Sequence, residues 1–167
     1  MKDDEIQPTG EPGGGPRQCH PSPTHRILVA DDEAAIRRLI TTVLLGSGYH
    51  VDAAEDGAAA WEALQAQPYD LLITDHSMPK ITGVELVKNL RSARMALPVV
   101  MVAGRLPEYE LAQNPSLQLA ATLLKPFAVA ALLNTVENVL RATDSPREQI
   151  DPLPDWRSQP VADGFRL

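Results

Sequence analysis

Short apolar runs alternate along the middle of the chain with segments whose apolar residues recur at helical spacing. Runs of strand length occupy residues 26–30, 71–74, 99–103 and 122–124, and residues 50–54 predict a second, weaker strand. The first intervening segment carries Ile36, Leu39, Ile40, Val43 and Leu44, a stripe typical of an amphipathic helix. Apolar strands separated by such helices predict a parallel sheet buried on both faces. Right-handed crossovers then make it a doubly wound α/β fold.

Proline residues predict where several helices begin or end. A second helix is predicted over residues 57–67, where Pro68 stops it, and the last helix carries its apolar positions from Val129 to Leu140. The fourth helix is predicted to begin after Pro107. Because Pro115 removes a hydrogen bond and clashes with the preceding turn, this helix should end near Asn114.

Composition divides the chain of 167 residues into three parts. Residues 1–24 hold five prolines and four glycines, and residues 143–167 hold four more prolines without apolar periodicity. Neither stretch offers enough apolar surface to offset the entropy of ordering it. We therefore expect one domain over residues 25–142, between a disordered amino-terminal tail and a flexible carboxy-terminal tail.

Charge and targeting signals narrow the classes of function. The net charge is −7 and we find no basic patch, which argues against binding of nucleic acid. The single cysteine, Cys19, cannot form an intramolecular disulfide. The chain begins without the apolar core of a signal peptide, and no apolar run is long enough to cross a membrane. A cytoplasmic location is the expectation.

Charged side chains directly follow three of the predicted strands. Asp31 and Asp32 follow the first strand, Asp75 the third and Lys125 the fifth. Ligands of doubly wound sheets bind outside the carboxyl ends of the strands, so these side chains should lie together. Mg²⁺ prefers oxygen ligands and lysine suits a phosphate oxygen, which makes this set typical of phosphoryl transfer. One carboxylate can then be the nucleophile.

Each of these signals has a simpler interpretation when taken alone. Paired aspartates after a strand often cap a helix, and a lone aspartate is often just a surface residue. Lys-Pro is a weak signal by itself, because lysine is common and proline often marks the end of a secondary-structure element. The combination at corresponding ends of strands one, three and five is much more specific than any single member.

Four segments resemble the receiver domain of two-component response regulators, of the stand-alone chemotaxis-regulator type. They are ILVADDE at 27–33, LLITDHSMPKITGVEL at 71–86, LPVVMVAG at 97–104 and LLKPF at 123–127. The resemblance covers residues 25–142. It implies a flavodoxin-like sheet of five strands in the order 2-1-3-4-5.

The resemblance also implies a role for each strand-end residue. Asp75 would be the phosphoacceptor and, with Asp32 and the backbone carbonyl of Ser77, a ligand of Mg²⁺. Asp31 would act on the metal mostly through water, and Lys125 would pair with Asp75 and then with the phosphoryl oxygens. The implied donor is a phosphohistidine on a histidine kinase or phosphotransfer protein, and the implied output is a downstream protein target. No enzymatic activity beyond self-phosphorylation and self-dephosphorylation is expected.

Two positions depart from the family's pattern. Ala103 stands where a threonine or serine is usual, and Thr122 where a tyrosine or phenylalanine is usual. These are the switch positions of the family, so an alternative function is a docking module that works without phosphorylation. Arg105, near the site, could bond a phosphoryl oxygen, although a solvated surface arginine is the simpler interpretation. A hydrolase with an aspartyl-phosphate intermediate is disfavoured because Ser77 stands where an acid would be needed.

Overall fold

The computed structural model describes residues 25–144. The predicted amino-terminal tail lies outside these residues, and so does the predicted carboxy-terminal tail apart from Thr143 and Asp144. The strands are β1 (Arg26–Ala30), β2 (His50–Ala54), β3 (Leu71–Asp75), β4 (Val99–Ala103) and β5 (Ala121–Leu124). The helices are α1 (Ala34–Gly46), α2 (Gly57–Ala66), α3 (Gly83–Ser92), α4 (Glu108–Gln113) and α5 (Val129–Asp144). A 3₁₀ turn, Pro115–Leu117, follows α4.

All neighbouring strands pair in parallel, in the order β2-β1-β3-β4-β5, which confirms the predicted fold class. β1 and β3 are direct neighbours at the centre of the sheet. Their carboxyl ends therefore meet at the same edge, with the ends of β4 and β5 following beside them.

The central strands direct alternate side chains to opposite faces of the sheet, as a pleated strand must. Leu72 joins the apolar core beneath α2 and α3, whereas Leu71 and Ile73 join the core beneath α1 and α5. Both faces are thus covered by helices, and this explains why β4 is apolar throughout and β3 is apolar from Leu71 to Ile73.

At the margins of the domain, the apolar pattern of the sequence predicted more burial than the structure shows. Leu39, assigned to the buried stripe of α1, is 46% exposed, and Val129 at the start of α5 is 42% exposed. The edge strands β2 and β5 are also only partly buried, since each lacks a neighbour on one side.

The fourth helix has six residues and ends at Gln113, which confirms the predicted short helix. Asn114 has φ −127° and ψ 66°, outside helical geometry, immediately before the proline that blocks continuation. No residue of α4 is buried. None of the helices among the described residues is long and apolar enough to cross a membrane.

Candidate functional site

The structure brings Asp31, Asp75 and Lys125 together at the carboxyl edge of the sheet. The Lys125 Nζ lies 2.8 Å from Asp31 Oδ2 and 2.6 Å from Asp75 Oδ1. Both aspartates are buried, at 1% and 5% exposure, and the lysine side chain is 18% exposed. One ammonium group therefore bridges two buried carboxylates that come from neighbouring strands.

Asp75 is held by the loop that follows it. Its Oδ2 accepts a hydrogen bond from the Ser77 N–H at 2.5 Å, and the His76 N–H donates to the Val102 carbonyl. A Cβ on Gly83 would collide with the Asp75 carbonyl oxygen, so the start of α3 packs directly on the end of β3. Only glycine permits this close approach of two backbones.

Asp31 occupies a buried position because β1 continues to pair with β2 beyond Ala30. Its N–H donates to the Ala54 carbonyl, and its Oδ1 accepts from the Glu33 N–H at 2.9 Å. Burial raises the pKa of Asp31 above its ordinary value, against the opposing effect of Lys125 and the Glu33 N–H.

Lys125 begins the segment after β5. Its N–H donates to the Ala103 carbonyl, and the Lys125–Pro126 peptide bond is cis. Burial alone would lower the pKa of Lys125, but the hydrogen bonds to Asp31 and Asp75 outweigh it and raise the pKa above its ordinary value. The lysine therefore carries its charge at neutral pH.

Asp32 stands apart from this cluster. Its side chain is exposed, and it makes no hydrogen bond or ion pair within the described part of the chain. Among residues 25–144, no three His, Cys, Asp or Glu side chains are already placed to hold a metal ion together.

The donor set nevertheless suits a divalent cation. Asp31, Asp32 and Asp75 supply three carboxylates against the single ammonium of Lys125, so negative charge remains in excess. Mg²⁺ takes oxygen ligands, keeps several waters and needs few protein groups. The residues present therefore fit the metal that the family resemblance implies.

The two atypical positions lie where their strands predict. Ala103 ends β4 and is buried, and its methyl group offers no hydrogen bond. Thr122 lies on β5 with its side chain exposed. Arg105 is exposed beyond β4 and lines the same surface groove as His76 and Ser77, which follow Asp75. Arg105 has no ion-pair partner within residues 25–144.

Sequence reasoning missed a further ion pair near the site. Asp56 and Lys80 join the start of α2 to the loop after Asp75, with Lys80 Nζ 2.5 Å from Asp56 Oδ2. The Asp-Gly step before an alanine-rich helix was a usable signal for the helix cap at Asp56. Nothing in the local pattern indicated its partner 24 residues away.

A family model described as the response regulator receiver domain matches residues 27–137. The chain belongs to this family, the receiver domains of two-component response regulators, whose members have a phosphoacceptor role.

Curated relatives agree with this assignment. The response regulator receiver protein CpdR of Brucella abortus is 36% identical over 120 residues, which are 70% of this chain and 98% of that protein. PhoP of Bacillus subtilis, named as a transcriptional regulatory protein of alkaline phosphatase synthesis, is 31% identical over 119 residues. That match covers 71% of this chain but only 50% of PhoP.

Solved structures show the same fold. The chemotaxis response regulator CheY4 of Vibrio cholerae superposes with a TM-score of 0.64 at 30% identity, over 70% of this chain and 98% of that chain. TrrA of Thermotoga maritima, solved in complex with Mg²⁺ and BeF, superposes with a TM-score of 0.62 at 29% identity. The superposition covers 69% of this chain and 98% of the TrrA chain.

Proposed function

We propose that this receiver domain accepts a phosphoryl group on Asp75 from a phosphohistidine, in a reaction that depends on Mg²⁺. The donor would be a histidine kinase or a histidine phosphotransfer protein, and the phosphorylated form would act on a downstream protein. The observation that carries the proposal is the Lys125 ammonium group, which bridges the buried Asp75 and Asp31 carboxylates. The expected cytoplasmic location stays a prediction.

The residues of the site supply positioning and charge for this transfer. A carboxylate oxygen of Asp75 forms the new bond to phosphorus while the phosphorus–nitrogen bond of the donor breaks, and the imidazole leaves with the bonding electrons and takes up a proton. Lys125 offsets negative charge on the phosphoryl oxygens. The Ser77 N–H orients the Asp75 carboxylate before the reaction.

Asp31, Asp32, Asp75 and the backbone carbonyl of Ser77 would hold the Mg²⁺ ion. When bound, the ion supplies charge neutralisation for the transferring group. The exposed Asp32 carboxylate, which has no protein partner among the described residues, is the group most available to it.

A second candidate function is a docking module that does not depend on phosphorylation. The observation that favours it is the pair of switch positions, since the buried Ala103 offers no hydroxyl group and Thr122 no aromatic ring. The two functions differ in whether Asp75 takes up phosphate at all.

Incubation with acetyl phosphate and Mg²⁺, followed by intact-mass measurement, tests the proposed function. The parent protein should gain one phosphate, and Asp75→Ala should gain none. Asp70→Ala is the matched control, because Asp70 directly precedes the strand that Asp75 ends and should leave labelling unchanged. Equal labelling of Asp75→Ala and the parent would show that the phosphoacceptor is another residue, and an unlabelled parent would favour the docking module.

A further inference from the structure

The loop of residues 76–82, which links Asp75 to α3, lies against the start of α2. A Cβ on Gly57 would collide with the carbonyl oxygen of Ile81, so the first residue of α2 packs directly on the backbone of this loop. Met78 from the same loop is buried in the core beneath α2 and α3. The loop is therefore fastened to the domain at a point remote from the strand that carries Asp75.

Lys80 completes this attachment through its side chain. Its Nζ lies 2.5 Å from Asp56 Oδ2, and the other oxygen of Asp56 accepts the Ala59 N–H at 2.8 Å, capping α2. Asp56 is buried at 4% exposure, whereas the Lys80 side chain is 64% exposed. The hydrogen bonds from Lys80 and the Ala59 N–H lower the pKa of Asp56, which keeps the carboxylate ionised at neutral pH.

The backbone of Lys80 is in the left-handed region, with φ 66°. A residue with a Cβ adopts this geometry at a cost in free energy, and it persists only where the surroundings hold it. The ion pair with Asp56 and the packing of Ile81 on Gly57 are the contacts that hold it here.

We propose that Asp56 and Lys80 form a positioning pair that holds the loop of residues 76–82, and Ser77 within it, in place beside Asp75. The inference rests on the function proposed above, because Ser77 matters there in two ways. Its N–H orients the Asp75 carboxylate, and its carbonyl is a proposed Mg²⁺ ligand. Neither Asp56 nor Lys80 touches the phosphoryl group, so both act through the loop.

Loss of the pair should leave the domain folded and make the loop less ordered. Each binding of a phosphoryl group would then have to order the loop, and this costs conformational entropy. Because Lys80 is largely exposed, the effect should be modest: Lys80→Met should weaken binding of beryllofluoride with Mg²⁺ about two- to fivefold, the range of an exposed ion pair.

Two NMR measurements on the full-length chain test this inference. One is a beryllofluoride titration in the presence of Mg²⁺, and the other is the amide shift of Ser77 and the amide exchange of residues 76–82 without ligand. Lys80→Met should weaken binding, shift the Ser77 amide and speed exchange in the loop. Lys80→Arg should retain the parent values because it keeps the charge. Lys88→Met, which removes an exposed lysine from α3, is the matched control and should change neither measurement.

Asp56→Asn removes the charge but keeps a good helix cap, so it separates the ion pair from the stability of α2. If the two residues act as a pair, the double variant Asp56→Asn/Lys80→Met should bind beryllofluoride no more weakly than either single variant. The inference would be overturned if the double variant bound beryllofluoride more weakly than either single variant, with the two losses of affinity multiplying. It would also be overturned if Lys80→Met left the Ser77 amide shift and the amide exchange of the loop unchanged. A parent that binds no beryllofluoride would instead count against the proposed function, and the ligand-free measurements would still decide the role of the pair.

Discussion

At the scale of single residues, the two adjacent aspartates after β1 have different surroundings. Asp31 is buried, and its two oxygens bond Lys125 and the Glu33 N–H. Asp32 is exposed and has no hydrogen-bonding partner among residues 25–144. Asp31 is thus already committed to protein groups, whereas Asp32 is available to an incoming cation.

This difference leads to a prediction about metal binding. Asp32→Ala should abolish binding of Mg²⁺, because it removes the carboxylate proposed to contact the ion directly. Asp31→Ala should weaken binding by about tenfold, the size of effect typical of groups that act on a metal through another ligand. NMR shifts of the residues around Asp75 during a Mg²⁺ titration provide the measurement.

Asp70→Ala again serves as the control, since Asp70 lies at the opposite end of β3 and should leave Mg²⁺ binding unchanged. Undiminished Mg²⁺ binding by Asp32→Ala would show that the metal assignment is wrong.

At the scale of elements, the connection between β4 and β5 has two unequal halves. The first half contains α4, which buries no residue and leaves the Tyr109 side chain 74% exposed. The second half is anchored by Arg91 of α3. Its guanidinium group donates to the carbonyls of Leu117 and Gln118, and also to those of Met95 and Leu97 before β4.

We predict that phosphorylation changes the face made by α4, β5 and α5 only slightly. The family's usual switch needs a hydroxyl group and an aromatic ring, and this chain has Ala103 and Thr122 at those positions. The helix is also short, and Arg91 holds the turn that follows it. Backbone NMR shifts with and without beryllofluoride provide the measurement.

Shift changes confined to the loops around Asp75 would agree with a role as phosphoryl shuttle, sink or docking module. Large changes throughout residues 105–125 would mean that a different pair of residues carries a conformational switch. The variant Ala103→Thr, which restores the usual hydroxyl group, is the matched comparison for this experiment.

At the scale of the whole molecule, the first and last described residues meet at the amino edge of the sheet. The α5 helix continues to Asp144, two residues past the predicted domain boundary at 142. The His25 Nε2 lies 3.0 Å from Asp144 Oδ2, so the end of α5 is joined to the start of β1.

We predict that a chain truncated to residues 25–144 has a midpoint of thermal unfolding within about 4 °C of the full-length value, equivalent to about 1 kcal/mol or less. The reason is the composition of the two tails, which predicts too little apolar surface to contribute much to stability. Scanning calorimetry provides the measurement. A chain ending at residue 142 is the comparison, and it should lose slightly more stability because Asp144 is absent.

A loss much larger than this in the chain of residues 25–144 would contradict the prediction. It would show that a tail packs on the domain, with Trp156 or Phe165 as the large apolar residues available to do so.

The sequence by itself determined the strands, the helices and the strand ends that meet. Strand positions were predicted closely because a strand buried on both faces is made mostly of apolar residues, as in β4 and in the first three residues of β3. The end of α4 was predicted because a proline acts on the residues directly beside it. The grouping of Asp31, Asp75 and Lys125 followed from parallel topology, which places strand ends at one edge.

Only the tertiary structure decided the environment of each side chain. Whether Asp31 or Asp32 is buried depends on how β1 pairs with β2, and the exposure of Leu39 depends on where α1 rests on the sheet. The pair of Asp56 and Lys80 arises because α2 and the loop after β3 pack together across 24 residues of sequence. Such contacts join elements that are distant along the chain, and the local periodicity of the sequence does not predict them.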